Sequence, residues 1–182
     1  PCFHFITSKV STNLGAYQDY TSRFDADGKF TVGELKLSRY QDITDNISVL
    51  AVTKGQISNK PLLSTEEFTL GGNEFARAYD YAEVSGDDAI AGSLEVRYSK
   101  NTSSKIVSFF QLYAFVDIGM VWNDNFSPEY RKQILTSTGI GGRADIFKNF
   151  FATVEIAKPL NKNVYSKGNK NPRVFVSINA TF

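Results

Sequence analysis

Three stretches decide the fold of this chain: the polar segment 68-FTLGGNEFARAYDY-81 and the strand-like segments 89-AIAGSLEVRYS-99 and 109-FFQLYAFVDIGMVW-122. In both strand-like segments apolar and polar side chains alternate, which is the period of a β-strand with one apolar and one polar face. The alternation puts Glu95 and Asp117 on the polar faces. Two carboxylates are therefore predicted to point into whatever the strands enclose.

The polar segment belongs to a long loop, residues 56–88, which carries Arg77. Loops of this length in compact proteins are usually functional or disordered. Arg77 has two candidate acidic partners, Asp117 and Glu95, on the following strands. Arginine suits such a contact because its planar guanidinium binds carboxylates in a bidentate manner and stays charged.

About nine strand-like segments can be recognised along the chain, and no helical pattern competes with them. An all-β, antiparallel fold is predicted. The segments lie at about 2–10, 14–23, 29–40, 47–55, 89–99, 106–122, 134–146, 150–159 and 173–182.

The connections between these segments alternate in length. Counted back from the carboxyl terminus, one set is short, at about 147–149, 100–105, 41–46 and 11–13. Of the other set, three of four members are long: 161–172, 123–133, 56–88 and 24–28. Outer-membrane β-barrels have short periplasmic turns and long extracellular loops. The pattern therefore predicts that the loop with Arg77 lies on the outer side of a membrane.

Composition excludes several classes of protein. The net charge of +1 gives no electrostatic case for nucleic-acid binding. Cys2 is the only cysteine and His4 the only histidine, so a catalytic dyad would need a residue at the start of the chain. We therefore predict no enzymatic activity, no metal site and no cofactor. No apolar run approaches a membrane helix, but barrel strands need only about 9–11 alternating residues.

Two architectures share this alternation. Charged residues in the middle of strands suit the wet lumen of a barrel, but they also suit the solvent face of a soluble β-sandwich binding module. A free-standing membrane barrel is excluded for this segment alone, because an open edge in lipid leaves backbone groups unsatisfied. The charged positions in question are Glu95, Arg97, Asp117, Arg143, Asp145 and Glu155.

A series of short motifs, all in the right order, resembles the carboxyl-terminal barrel of two-partner secretion transporters, the haemolysin-activator and haemagglutinin-secretion proteins of Gram-negative outer membranes. The likeness extends over residues 68–182. Its motifs are Ala76-Arg77-Ala78-Tyr79, Gly86-Asp87, Gly92 to Tyr98, Phe115 to Gly119, Ala157 to Leu160 and the terminal Phe182.

The resemblance implies that residues 1–182 form one domain, the carboxyl-terminal part of a transmembrane β-barrel. Its strands would be numbers eight to sixteen of a sixteen-stranded barrel. The loop 56–88 would be the lid loop, folded into the lumen. A signal peptide and periplasmic POTRA modules are absent from this chain, and we expect them in a longer precursor.

The resemblance also implies the roles of particular residues. The tip of the lid would contact the lumen wall, with Arg77 bound to Asp117 and Glu95, and with Gly119 leaving room for its approach. The family's glycine is Ala78 here and its valine is Ala76, so the tip is either strained or shaped differently if position 78 needs a positive φ. The tip would consist of Ala76, Arg77, Ala78 and Tyr79, and the signal for membrane assembly of Ile178, Ala180 and Phe182.

The implied function is a translocation pore that exports a large unfolded partner protein across the bacterial outer membrane. The implied partners are this secreted protein, the POTRA modules of the same precursor, the outer-membrane assembly machinery and the lipid bilayer. One alternative is a factor of the same superfamily that assembles or inserts outer-membrane proteins. The second is the soluble β-sandwich module.

Overall fold

A computed structural model describes residues 2–14, 23, 26, 29–123, 132–147 and 149–181, and these residues form strands, turns and loops without a helix. Within this part of the chain, no helix is long and apolar enough to cross a membrane. The strands are β1 (Cys2–Leu14), β2 (Lys29–Asp42), β3 (Ile47–Ser58), β4 (Phe68–Leu70), β5 (Val84–Gly86), β6 (Asp88–Asn101), β7 (Val107–Trp122), β8 (Lys132–Ile146), β9 (Phe150–Pro159) and β10 (Arg173–Ala180).

Eight of these strands form one antiparallel sheet, in the order β1-β2-β3-β6-β7-β8-β9-β10. The two short strands, β4 and β5, pair only with each other and lie between β3 and β6 in the chain. Each long strand therefore pairs with the next long strand along the sequence. This is the up-and-down arrangement of the all-β class that the alternation predicts.

The first predicted turn, at 11–13, is wrong. β1 continues through these residues to Leu14, which lies opposite Lys29 at the start of β2. Polar residues indicated a turn, but pairing with β2 satisfies their backbone groups and keeps them extended. Most of the second predicted strand, 14–23, falls outside the described residues. The described sheet thus contains eight long strands rather than about nine.

The two ends of the sheet differ as the sequence predicts. The connections at one end are short: 43–46, 102–106 and 147–149. The connections at the other end are all longer: 15–28, 59–87, 123–131 and 160–172. The separation of short from long connections is therefore complete once β1 and β2 are recognised as neighbours.

The predicted alternation of side chains is confirmed. On β7, Tyr113, Phe115 and Asp117 are buried, whereas Val116 and Ile118 are 44% and 57% exposed. No second layer of the described chain covers the apolar face, as a β-sandwich would require. The interpretation as a sandwich is therefore wrong. The same exposed face includes Leu94, Val96, Leu112, Ile140, Val154, Ile156, Val174, Val176 and Ile178.

The opposite face of the sheet encloses the long loop, residues 59–87. Leu62, Leu70, Ala76 and Ala78 are fully buried, and Tyr79 is 1% exposed. A flat sheet would cover only one side of such a loop, so the sheet must curve around it. The loop is also more ordered than its polar sequence indicates, because β4 and β5 form a short hairpin within it.

Candidate functional site

The tip of the long loop turns back sharply at Ala76. The backbone of Ala76 is left-handed, with φ of 57°, and the amide of Tyr79 donates to the carbonyl of Ala76 at 3.0 Å. An L-residue in this conformation costs roughly 1–2 kcal/mol. Ala78 itself has an ordinary φ, so the left-handed residue of the tip is Ala76. Arg77 and Ala78 are the two central residues of this turn, and the Arg77 side chain reaches the sheet.

Arg77 binds Asp117 of β7 through three hydrogen bonds. Nε donates to Oδ2 at 3.1 Å, Nη2 donates to Oδ1 at 3.1 Å, and the backbone amide of Arg77 donates to Oδ2 at 3.0 Å. Two come from the guanidinium fork, which is the strong bidentate geometry. The third comes from the backbone, so Asp117 positions the loop as well as the side chain.

The same guanidinium contacts two more strands and one aromatic ring. Nη1 donates to Glu95 Oε2 of β6 at 2.8 Å and to Glu155 Oε2 of β9 at 3.5 Å. The guanidinium carbon lies 3.4 Å from the centre of the Phe115 ring, within the range of a cation–π contact. One side chain from the loop thus connects β6, β7 and β9.

Each carboxylate has further partners of its own. Asp117 is fully buried and accepts hydrogen bonds from the hydroxyls of Ser93 and Ser137, at 2.7 and 3.2 Å. Glu95 also binds Arg97 at 2.7 Å and Arg143 at 3.0 Å. These contacts hold the side chains of Asp117 and Glu95 in place on their strands independently of the loop.

The charges in this cluster balance. Three arginines, Arg77, Arg97 and Arg143, face the three carboxylates of Glu95, Asp117 and Glu155, and the hydroxyl of Tyr113 donates to Glu155 at 2.8 Å. Burial alone would lower the pKa of Arg77, but its hydrogen bonds and charge interactions with the carboxylates outweigh burial and raise that pKa. The guanidinium therefore remains charged.

Tyr79 contacts the wall by hydrogen bonds at the end of the sheet that carries the long connections. Its hydroxyl donates to Asn161 Oδ1 at 2.8 Å, and the backbone amide of Lys162 donates to the hydroxyl at 3.2 Å. The ring is buried among apolar side chains that include Leu135 and Val164. Tyr79 thus joins the tip to the connection between β9 and β10, a partner that the sequence did not reveal.

Gly119 receives a different part of the loop from the one expected. A Cβ on Gly119 would lie 2.5 Å from Cδ2 of Leu70, which belongs to β4. The glycine therefore makes room for the hairpin rather than for Arg77 or Tyr79. A close approach does occur at this position, but the approaching residue is Leu70 of β4 and not a residue of the tip.

A cavity of about 540 Å³ lies between the tip and the wall formed by β8 to β10. Its lining includes Arg77, Tyr113, Arg143 and Glu155. Arg173 at the start of β10 donates to the carbonyl of Ala78 at 3.1 Å. Sequence reasoning missed Arg173 and assigned Glu155 no role. The sequence did indicate that Arg173 and Glu155 lie on the polar faces of β10 and β9, and this pattern could have identified them as candidates.

The residues of the expected assembly signal lie apart from this cluster. Ile178 and Ala180 are on the exposed apolar face of β10, opposite Ala152 and Phe150 of β9. Phe182 lies outside the described residues. Among the residues that the structure describes, no group of His, Cys, Asp and Glu could hold a metal ion.

Comparison with known proteins agrees with this architecture. The structure of CdiB from Escherichia coli matches with a TM-score of 0.81 at 20% identity, over all of this chain and 34% of that one. This likeness shows the fold, and the chain spans about a third of the length of that protein. No curated protein matches the sequence. Residues 6–144, more than half of the chain, match the family described as haemolysin secretion/activation protein ShlB/FhaC/HecB, and the chain belongs to that family.

Proposed function

We propose that this chain forms part of the wall of an outer-membrane pore that exports a partner protein in two-partner secretion. In this proposal the long loop, residues 59–87, is the lid of the pore. The observation that carries it is the position of Arg77. An arginine from a loop is held by three carboxylates on the enclosed face of a sheet whose other face is apolar and exposed.

The dimensions of the exposed face suit a bilayer. On β7, the outward-facing aromatics Phe110 and Trp122 lie twelve residues apart. At about 3.4 Å per residue and a strand tilt of about 40°, this separation spans roughly 30 Å of height. That height matches the hydrocarbon core of a bilayer. Aromatic residues at both borders are typical of barrel strands, and Tyr98 and Phe150 lie near the same border as Phe110.

The chemistry of the Arg77 cluster suits a latch. A buried ion pair contributes little net stability, because desolvation offsets the attraction between the charges. Loss of one partner is nevertheless costly, because the other charge stays buried alone. Such a cluster holds the loop in one position without making the closed state excessively stable. A lid that must open during transport has this requirement.

The long connections, including the lid, would lie on the outer side, and the short ones in the periplasm. The partners we propose are the secreted protein, POTRA modules of the same precursor, the outer-membrane assembly machinery and the lipid bilayer. The family match favours export of a partner over insertion of other barrels. No cofactor is required in this scheme.

Charge reversal tests the proposal. Cells that express the transporter with Arg77→Glu or Asp117→Arg should release much less partner protein into the medium, while the barrel still inserts into the outer membrane. Lys36→Glu is the matched control, because Lys36 makes an exposed lid contact with Glu74. Export at the control level by both Arg77→Glu and Asp117→Arg would refute the role of the lid latch.

A further inference from the structure

Asp87 fixes the end of the long loop through its carboxylate. The guanidinium of Arg23 donates to Oδ1 at 2.9 Å and to Oδ2 at 3.0 Å, which is a bidentate contact. The backbone amide of Leu62, near the start of the loop, donates to Oδ1 at 2.7 Å. One buried carboxylate thus joins the two ends of the loop. Asp87 belongs to the Gly86-Asp87 motif, which has no part in the Arg77 cluster.

The backbone of Asp87 is held as well. Its amide donates to Asn123 Oδ1 at 2.9 Å, just after β7. Its carbonyl accepts from Gln56 Nε2 of β3 at 3.1 Å, and the same amide group of Gln56 donates to the carbonyl of Glu66 at 3.2 Å. The end of the loop is therefore attached to the sheet on both sides of its exit.

Glu67 completes this second cluster. It accepts from Arg23 Nη1 at 2.8 Å and from the hydroxyl of Ser85 at 3.0 Å. The side chains of Arg23 and Glu67 are each about nine-tenths buried. Gly86 packs so closely on β7 that a Cβ would lie 2.8 Å from Cβ of Val121. We call Arg23, Glu67 and Asp87 the base cluster of the loop.

The hairpin of β4 and β5, which we call the stem, follows the base cluster. Phe68 and Leu70 of β4 are almost fully buried, and Leu70 fills the space over Gly119. Moving the stem off the wall would expose these apolar side chains to the wet lumen, which is unfavourable.

Beyond the stem, the tip with its flanking residues covers 71–83 and includes Ala76 to Tyr79. From here on we call this whole segment the tip, and it is attached differently. It begins at two glycines with left-handed backbones, Gly71 and Gly72, with φ of 103° and 96°. It ends near Ala82, whose φ is 53°. Phe75, Ala76 and Tyr79 of the tip are buried in the same apolar cluster as Phe68 and Leu70 of the stem. The tip differs in that it also depends on ion pairs and hydrogen bonds, including those of Arg77 and Tyr79, which water or a passing polypeptide can replace.

We infer that Asp87 is a positioning residue that fastens the base of the lid. Its side chain joins both ends of the loop to Arg23, in the connection between β1 and β2, and its backbone is attached to β3 and to Asn123 after β7. Opening of the pore then moves only the tip, residues 71–83, while the stem stays in place. This inference rests on the proposed function, but the different attachment of stem and tip can be measured without transport.

Hydrogen exchange of the purified, full-length protein in detergent tests the structural content. Arg77→Gln should accelerate exchange in residues 73–81 about tenfold or more and leave the stem amides of β4 and β5 unchanged. Asp87→Asn, which keeps the side-chain shape, should accelerate exchange in the stem while Arg77 retains its partners. Arg23→Lys, which keeps the charge without the fork, should give an intermediate stem effect. Equal acceleration of stem and tip in Arg77→Gln would overturn the inference.

Crosslinks test its consequence for export. In a Cys2→Ser background, Leu70→Cys with Gly119→Cys attaches the stem to β7, since the Leu70 side chain touches Gly119. Ala78→Cys with Ala157→Cys places two thiols of the tip and β9 in one buried cluster, and a non-reducing gel checks that the disulfide forms before export is measured.

Each oxidised protein is compared with its own reduced form. The stem crosslink should leave export unchanged, and the tip crosslink should abolish it. Loss of export on oxidation of the stem pair would overturn the inference, whereas lack of export by the Cys2→Ser protein without further cysteines would refute the proposed function instead. The exchange measurement needs no cargo, so the two failures are distinguishable.

Discussion

Replacement of Arg77 by alanine removes the central cation of the site. Asp117 then loses two guanidinium hydrogen bonds, and Glu95 and Glu155 lose one contact each. Glu95 keeps Arg97 and Arg143, but Asp117 keeps only hydroxyls and the backbone amide at residue 77. The fully buried Asp117 therefore bears most of the cost.

The burial of Asp117 determines how far the replacement of Arg77 shifts the balance between closed and open tip. Leaving one partner of a buried ion pair alone costs about 3–5 kcal/mol, and less where water can reach the charge. Because Arg77 is held from the loop, the cost falls on the closed position of the tip. With a factor of ten for every 1.4 kcal/mol, the ratio of closed to open tip should fall on the order of 100- to 1000-fold.

Single-channel recording in planar lipid bilayers measures this ratio directly. Wild-type protein should open rarely, and Arg77→Ala should be open for most of the record. Lys36→Gln is the control, because its exposed contact with Glu74 is worth at most about 1 kcal/mol. If Arg77→Ala and Lys36→Gln give the same open fraction, the reasoning from burial is refuted.

Three further predictions concern stability and assembly. Gly119→Ala should destabilise the folded barrel by about 1–3 kcal/mol through its clash with Leu70, whereas Gly55→Ala, with a nearest contact of 3.7 Å, should leave the thermal midpoint unchanged. Equal midpoints in the two variants would contradict this. Tyr79→Phe should cost about 1 kcal/mol through the lost hydroxyl contacts, seen as faster hydrogen exchange in residues 160–172. Deletion of Phe182 should reduce the heat-modifiable, inserted fraction, and unchanged insertion would remove its role as an assembly signal.

Sequence alone predicted the strands and their faces because the period of two is local information. The same period placed Glu95 and Asp117 on the polar side. The pairing of Arg77 with these residues came from the family resemblance, because the pattern alone fits a solvated loop arginine as well. Its contacts with Glu155 and Phe115 were not predicted, because they depend on how far the loop enters the sheet.

Other features depend on tertiary structure that no local pattern encodes. The contact of Arg23 with Asp87 joins residues 64 positions apart in the chain, and no local pattern relates them. The left-handed backbone of Ala76 arises because the surrounding wall holds the tip, and an alanine gives no sign of it. The continuation of β1 through residues 11–13 depends on its partner β2, which overrides the preference of polar residues for turns.

Thiol labelling in native outer membranes tests most directly the claim that the apolar side of this sheet meets lipid and the polar side meets water. In a Cys2→Ser background, a charged reagent should modify cysteines at Thr153 and Ser177, which line the cavity below the tip. It should not modify cysteines at Val154 and Ile156, which are outward-facing residues of β9. Equal labelling at all four positions, or faster labelling at positions 154 and 156, would contradict the account.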